Sequence, residues 1–336
     1  CPTGVDMARM KIEVAHQELK RGNKPALGDR ITSFLPRTAN KLSKLGGILN
    51  LRDKIPGLAW ISEKTTGLAA QRKLPTWSSD PFKEEVGGSP IGDGRDVVLF
   101  ADTFTTWFEP EKPRAAVRVL KAAGFHPHVI RGPDGRGPCC GRTFLANGMI
   151  DQAREEALRT LDLLEPFLKI GAPVLGLEPA CLFTFKDEFA ALKLDERVQA
   201  LGEATQLIDE FLVSKTTEDF RAKLKNGPKK ILVHGHCHQK AFGVAEKTLA
   251  ALRLIPDADV SMVESSCCGM AGSFGYQKKN LSVSLAMAEL NLLPAVRKAD
   301  PDTIIVADGT SCRHQIEDGT GRRALHAVEV LANSLR

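Results

Sequence analysis

Eight cysteines punctuate the 336-residue chain: Cys1, Cys139, Cys140, Cys181, Cys237, Cys267, Cys268 and Cys312. Four of them form two adjacent pairs, each followed by glycine, at 139–141 and 267–269. Neighbouring cysteines rarely bridge one another, whereas two thiolates on one tight turn are well placed to hold a metal ion or a cluster. An even count also permits four disulfides, but a chain of this size does not need such staples. Soft sulfur ligands select zinc, copper(I) or iron–sulfur over magnesium or calcium. His234, His236 and His238 alternate around Cys237, so in a strand-like segment they would share one face. One of them, with His236 the candidate, could ligate a metal or donate to a cluster sulfur. The plainer alternative is that they cap the following helix or face solvent.

Other motifs carry less. Gly269, Gly272 and Gly275 imitate a spaced-glycine dinucleotide loop, but they follow a cysteine pair and no acidic residue is suitably placed. They read as turn chemistry. Asp102, Thr103 and Thr105 follow an expected strand end and read as ligand-facing groups or loop caps. Glu109-Pro110 and Glu178-Pro179 each mark a helix start. No Ser-His-Asp spacing or phosphate-binding loop is evident.

The elements that must position these residues recur in two halves. Residues 1–90 read as a helix-containing lead-in, with helical periodicity over 7–20 and Gly/Pro punctuation after it. In residues 91–228, short apolar strands at 97–100, 128–131 and 173–177 alternate with helices at 112–123 and 149–169. Residues 229–336 repeat the order, with strands at 230–233, 258–264 and 303–307 and helices at 240–252 and 280–296. From the cysteine pair to the next cysteine the chain runs 41 residues in the first half and 44 in the second. The alternation predicts an α/β fold of two pseudo-repeats, each a parallel sheet flanked by helices. Ligands then sit at the carboxyl ends of strands, where the cysteines fall.

Apolar residues make up 43% of the chain and charged residues 26%, which suits an ordinary globular core. No apolar run approaches the ~18 residues of a membrane span. Residues 1–75 hold 14 Lys and Arg against 6 Asp and Glu, while the remainder carries 32 against 35. A basic arm of this kind suits an anionic surface or an acidic partner, or is a solvated linker. Basic–aromatic interleaving and zinc-finger signatures are missing, so nucleic acid is not an expected partner.

The doubled Cys-Cys-Gly motif, each with an upstream position and a downstream cysteine, resembles the cysteine-rich CCG domains of heterodisulfide reductase. It is also similar to the iron–sulfur subunits of anaerobic glycerol-3-phosphate dehydrogenase and glycolate oxidase. The string from Asp308 through Ser311-Cys312-Arg313-His314 to Ile316 is most similar to the C-terminal part of bacterial FAD-linked D-2-hydroxyacid dehydrogenases. Those proteins fuse flavin, ferredoxin-like and CCG regions. The opening Cys1-Pro2-Thr3-Gly4 is similar to the end of a bacterial ferredoxin motif, which implies that Cys1 serves a cluster whose other ligands precede this chain. Two departures bear on the ligand count. By rough alignment Asp102 replaces the upstream cysteine in the first half, and the downstream Cys-x-x-Cys reads Glu178-x-x-Cys181. The second half keeps Cys237 but ends in Gly309-x-x-Cys312. The first half therefore offers Cys139, Cys140 and Cys181 with two carboxylates, a poor cluster cage or a mononuclear site. The second offers Cys237, Cys267, Cys268 and Cys312, enough for one four-iron cluster or a tetrahedral zinc.

The resemblance implies an electron-transfer region of an FAD-dependent oxidoreductase. FAD, in another part of the same longer polypeptide, would oxidise a D-2-hydroxyacid, and this region would pass electrons toward a quinone or a carrier protein. The chain alone is then expected to lack the substrate site, and to be cytoplasmic or peripheral at the inner membrane face. Two other readings stay open: a zinc-bearing module that docks the flavin domain, and a thiol–disulfide enzyme working through Cys267-Cys268.

Overall fold

The computed structural model describes residues 6–225 and 227–336. Its strands form two four-stranded sheets in which every neighbouring pair is parallel. In the first, β1 (Asp96–Phe100), β2 (His126–His128), β3 (Val174–Gly176) and β4 (Thr205–Leu207) lie in the order β2-β1-β3-β4. In the second, β5 (Lys230–His234), β6 (Asp259–Met262), β7 (Ile304–Ala307) and β8 (Ala324–Leu325) lie in the order β6-β5-β7-β8. The strand order reverses direction between β1 and β3, and again between β5 and β7. Such a switch point opens a crevice at the carboxyl ends of its two strands. The α/β class and the repeat expected from the alternation are both present.

Local departures have local causes. β2 ends where the residue pattern has a strand begin, because its register is set by Asp96 opposite His126 and by His128 Nε2 lying 2.7 Å from the Asp96 carboxylate. β4 and β8 are three and two residues long, too short for any periodicity to betray them. The helix expected over 280–296 is two helices, Leu281–Glu289 and Leu292–Lys298, with Pro294 in the first turn of the second, where a missing N–H is harmless. That over 240–252 divides at Gly243, whose φ is +70°.

The two units share one core. Helix Glu111–Ala122 of the first packs against helix Ala327–Asn333 of the second, and helix Ile208–Lys215 packs against Ala245–Leu252. Each unit's first long helix thus lies on a late helix of the other, a reciprocal arrangement with two-fold character. Val97 and Leu99 of β1 join Ile231 and Val233 of β5 in the same apolar cluster. The basic lead-in folds back onto this body. Arg37, on helix Leu27–Leu42, donates to Glu156 at 2.6 Å and Glu155 at 2.8 Å. Arg72 is buried and reaches Gly275 O at 3.0 Å and Asp318 at 3.0 Å. These cations are therefore matched within the chain. Apolar side chains also stay outward: Met7, Met10 and Val14 on helix Met7–Lys20, and Leu45, Ile48, Trp60 and Ile61 beyond it.

A polar pair is buried in the seam between units. Asp209 accepts from Thr248 Oγ1 at 2.7 Å, and Thr248 and Gln239 also reach Asp308, at 3.2 and 2.8 Å. Burial first, and the Asp308 charge second, push the Asp209 carboxyl well above the ordinary carboxylate range. A carboxyl raised in this way contributes stability that is complete below the unfolded value of about 4 and is lost as pH rises through the folded value. Asp209→Asn keeps a neutral group there. Its melting temperature is expected to fall less than that of the unmodified protein between about pH 5 and about pH 9; parallel profiles would refute the assignment.

Candidate metal centre

Three loops of the second unit converge on its switch point. β5 ends at His234, and His236 caps the helix Cys237–Ala241, its Nδ1 accepting from His238 N at 3.1 Å. β7 ends at Ala307, and the next helix, Thr310–Thr320, carries Cys312 in its first turn. β6 leads into Cys267-Cys268-Gly269. There Gly269 takes φ +85° and donates its N–H to Cys267 Sγ at 3.3 Å. Cys268 and Cys312 are buried, while Cys237 and Cys267 are partly so. The described cysteines, Cys139 through Cys312, are all free thiols.

The four thiols touch in sequence: Cys237 with Cys267, Cys267 with Cys268, and Cys268 with Cys312. Protons divide unevenly along this row. Hydrogen bonds from Cys237 and Cys268 hold Cys267 far below the ordinary thiol range, and one from Cys268 does the same for Cys312. Cys237 and Cys268, as donors to Cys267 and with burial added, are pushed up. Lys240 braces the site, its Nζ donating to Ser265 O and, at 3.1 Å, to Ser266 O.

Two of the three histidines share a side: the His236 and His238 rings stack with centroids 5.2 Å apart, in one close group with Cys237. His236 is buried, with its Nε2 4.0 Å from Glu178. His238 accepts at Nε2 from Arg142 at 2.8 Å, which leaves its Nδ1–H toward Cys237 Sγ at 3.5 Å. Burial and the Arg142 charge hold His238 down at about 3, so it stays neutral. His234 stands apart from both. It is 1% exposed, its Nδ1 lies 2.9 Å from Ser265 Oγ, and its Nε2 has no hydrogen-bond partner among the described residues.

The first unit repeats the frame with different chemistry. Phe100 pairs with Gly176 as His234 pairs with Ala307, so Phe100 holds the place of His234. By the same register Asp102 corresponds to His236, and Thr103 to Cys237. The rough alignment that put Asp102 at the upstream cysteine is therefore one residue out: Thr103 stands there, and Asp102 caps the helix Thr103–Trp107. Cys139, Cys140 and Cys181 follow one another in contact. Their thiols are all raised: Cys139 by Cys140 and burial, Cys140 by Cys181 and burial over the opposing pull of Cys139. Cys181 reaches about 11 despite Cys140, through burial and the carboxylates of Asp102 and Glu178. Burial lifts those carboxyls in turn, to about 6 for Asp102 and about 7 for Glu178. Neutral thiols beside reluctant carboxylates suit a cluster poorly.

Contacts across the seam hold the two sites face to face. Glu178, read from sequence as a helix start, does cap Pro179–Leu182, but its Oε2 also accepts from Thr310 N at 2.7 Å. Glu109 pairs with the buried Arg313 and accepts from Thr310 Oγ1 at 3.0 Å. His326 Nε2 lies 2.9 Å from Leu177 O. No local sequence signal announces these partners, which are 132 to 204 residues apart. Cys1 lies outside the described residues.

A sulfur-rich group therefore fits the second unit and not the first. Four free cysteines and a buried imidazole nitrogen without a hydrogen-bond partner among the described residues form a soft donor set. Residues 231–317, which contain all of these groups, match the family described as a cysteine-rich domain, CCG. The CCG match has whole-chain relatives. One subunit of the anaerobic glycerol-3-phosphate dehydrogenase of Escherichia coli (strain K12) is 26% identical over 317 residues, covering 93% of this chain and 78% of the relative. D-2-hydroxyglutarate dehydrogenase of the same strain is 25% identical over all of this chain, which spans 33% of that protein. That of Pantoea ananatis (strain AJ13355) is 24% identical over 98% of the chain and 32% of its own length. The chain is thus similar along nearly its whole length to a protein named as a subunit of one dehydrogenase and to part of another dehydrogenase. None of its described helices is long and apolar enough to cross a membrane.

Proposed function

We propose that this chain is the iron–sulfur electron-transfer region of a flavin-linked dehydrogenase, with Cys237, Cys267, Cys268 and Cys312 holding one four-iron cluster. The observation that carries the reading is the convergence of these four sulfurs, from the loops that follow β5, β6 and β7, at the second switch point. Such a cluster, when bound, accepts and releases single electrons near its protein ligands. The chain's own residues bind and tune. Burial of Cys268 and Cys312 keeps water from the inner side, and Lys240 places a positive charge beside the sulfurs. His238, fixed by Arg142, points its Nδ1–H at Cys237 Sγ, a contact that lowers electron density on that sulfur.

The relatives' names support a flavin domain oxidising a D-2-hydroxyacid as the electron donor, with a quinone or carrier protein as acceptor. Placement at the inner membrane face draws support from the exposed Leu45, Ile48, Trp60 and Ile61 among Lys41, Lys44, Lys54 and Lys64. That is the composition of an interfacial segment, and sedimentation with anionic vesicles is its check. Anaerobic purification tests the central reading. About four irons and matching sulfide per chain are expected, with visible absorption that bleaches on reduction. One zinc and no sulfide would overturn it in favour of a structural zinc module.

A further inference from the structure

We propose that His234 is a direct ligand of the centre in the second unit, its Nε2 binding the metal atom that Cys268 and Cys312 flank. The inference rests on the reading that this unit binds a thiophilic metal or cluster, and it adds a nitrogen to a set so far made of sulfur.

Three independent features single out this imidazole. The first is place. His234 Nε2 or Nδ1, Cys268 Sγ and Cys312 Sγ lie within 4.8 Å of one another, and all three residues are buried. The second is an unmet need. His234 is 1% exposed and its Nε2 has no hydrogen-bond partner among the described residues. A buried polar atom in that condition costs free energy unless a ligand meets it. The third is orientation. Ser265 Oγ lies 2.9 Å from Nδ1 and can accept its proton, the tautomer that frees the Nε2 lone pair for a metal. Metal-binding histidines are regularly held by such an outer partner.

The neighbouring sulfurs come from two other loops. Cys268 follows β6 and Cys312 lies in the first turn of the helix after β7, so His234 at the end of β5 completes a set drawn from three strand ends. His236 and His238 are placed differently: His236 Nδ1 caps its helix, His238 Nε2 is taken by Arg142, and the two lie with Cys237 in a separate close group.

The first unit supplies an internal comparison. Phe100 occupies the place of His234 and packs against Phe185 at 4.9 Å between ring centroids. The unit whose cysteine set is short thus carries phenylalanine where the fuller unit carries imidazole. Phenylalanine is compatible with this strand end, so His234→Phe tests ligation without opening a cavity.

The test uses the full chain, loaded anaerobically with iron and sulfide, unlabelled or with ¹⁵N-histidine. Pulsed electron paramagnetic resonance of the reduced protein is expected to show coupling to one imidazole nitrogen. His234→Phe should abolish that coupling and remove at least half of the iron, with the melting profile of the metal-free protein retained. His234→Cys should restore iron, without nitrogen coupling and at a lower reduction potential, since thiolate favours the oxidised state more than imidazole does. Ser265→Ala should keep the coupling but weaken iron retention. Full iron and an unchanged spectrum in His234→Phe would overturn the proposal. So would nitrogen coupling that disappears in His236→Ala or His238→Ala instead. If the unmodified chain takes up no iron, the electron-transfer reading fails separately, and cobalt(II) decides on His234. A loss of cobalt affinity of tenfold or more in His234→Phe supports ligation, and unchanged affinity or no cobalt binding by either protein refutes it.

Discussion

Cys312→Ser is expected to strip most of the iron from the anaerobically loaded chain, while Cys181→Ser leaves it nearly intact. Cys312 is 1% exposed, stands at the end of the row of four thiols, and its thiol is pushed down by the hydrogen bond from Cys268. A hydroxyl there is a much harder and less acidic donor than the sulfur it replaces. Outer-shell changes at metal sites commonly cost about 10–100-fold in affinity, and loss of a primary ligand should exceed that. Cys181 is different. Its thiol is held neutral at about 11 beside Asp102 and Glu178, and Thr103 stands where a fourth sulfur would be. Metal content per chain, measured for both variants in parallel, decides the matter. Equal losses would mean two working sites, and no loss in Cys312→Ser would dissolve the shared centre.

The frame of that argument was legible in the residue pattern, and its details were not. Alternating strand and helix segments, with a cysteine after most strands, dictate parallel sheets whose carboxyl ends gather the sulfurs. That inference needs only periodicity and loop position. Choosing between Asp102 and Thr103 needs the pairing of β1 with β3, because a one-residue shift in a loop leaves no mark on composition. His234, His236 and His238 look equivalent as letters. They diverge because β5 ends at the first, the second caps a helix and the third lies within it. Glu178 was readable as a helix cap from its proline, but its second role depends on Thr310, 132 residues away. Contacts of that range arise from the reciprocal packing of two units, which no single stretch of chain encodes.

The glycine of the second Cys-Cys-Gly turn should prove the most sensitive small residue in the unit. Gly269 has φ +85°, and a Cβ there would lie 2.2 Å from Ser284 O and 3.1 Å from Met287 Cβ. Left-handed backbone alone costs a substituted residue about 1–2 kcal/mol. The contact with a backbone carbonyl adds to this, because no rotamer change can relieve it. Helix Leu281–Glu289 would have to move, and with it Ser284, which Arg72 holds at 3.2 Å. Gly269→Ala is therefore expected to destabilise the metal-free chain by about 3 kcal/mol or more, within the range reserved for strain and overpacking. Gly272 provides the control. Its φ is +64°, but a Cβ there meets nothing within 4 Å, so Gly272→Ala bears the backbone cost alone. Gly141, the matching turn glycine of the first unit, lies between them, with a Cβ 3.2 Å from Ala153 O. Urea unfolding of the three variants should give the order 272, 141, 269 in increasing damage. If Gly269→Ala is no less stable than Gly272→Ala, the turn is not held against that helix, and the closeness of the two cysteines must come from the bound group and not from the fold.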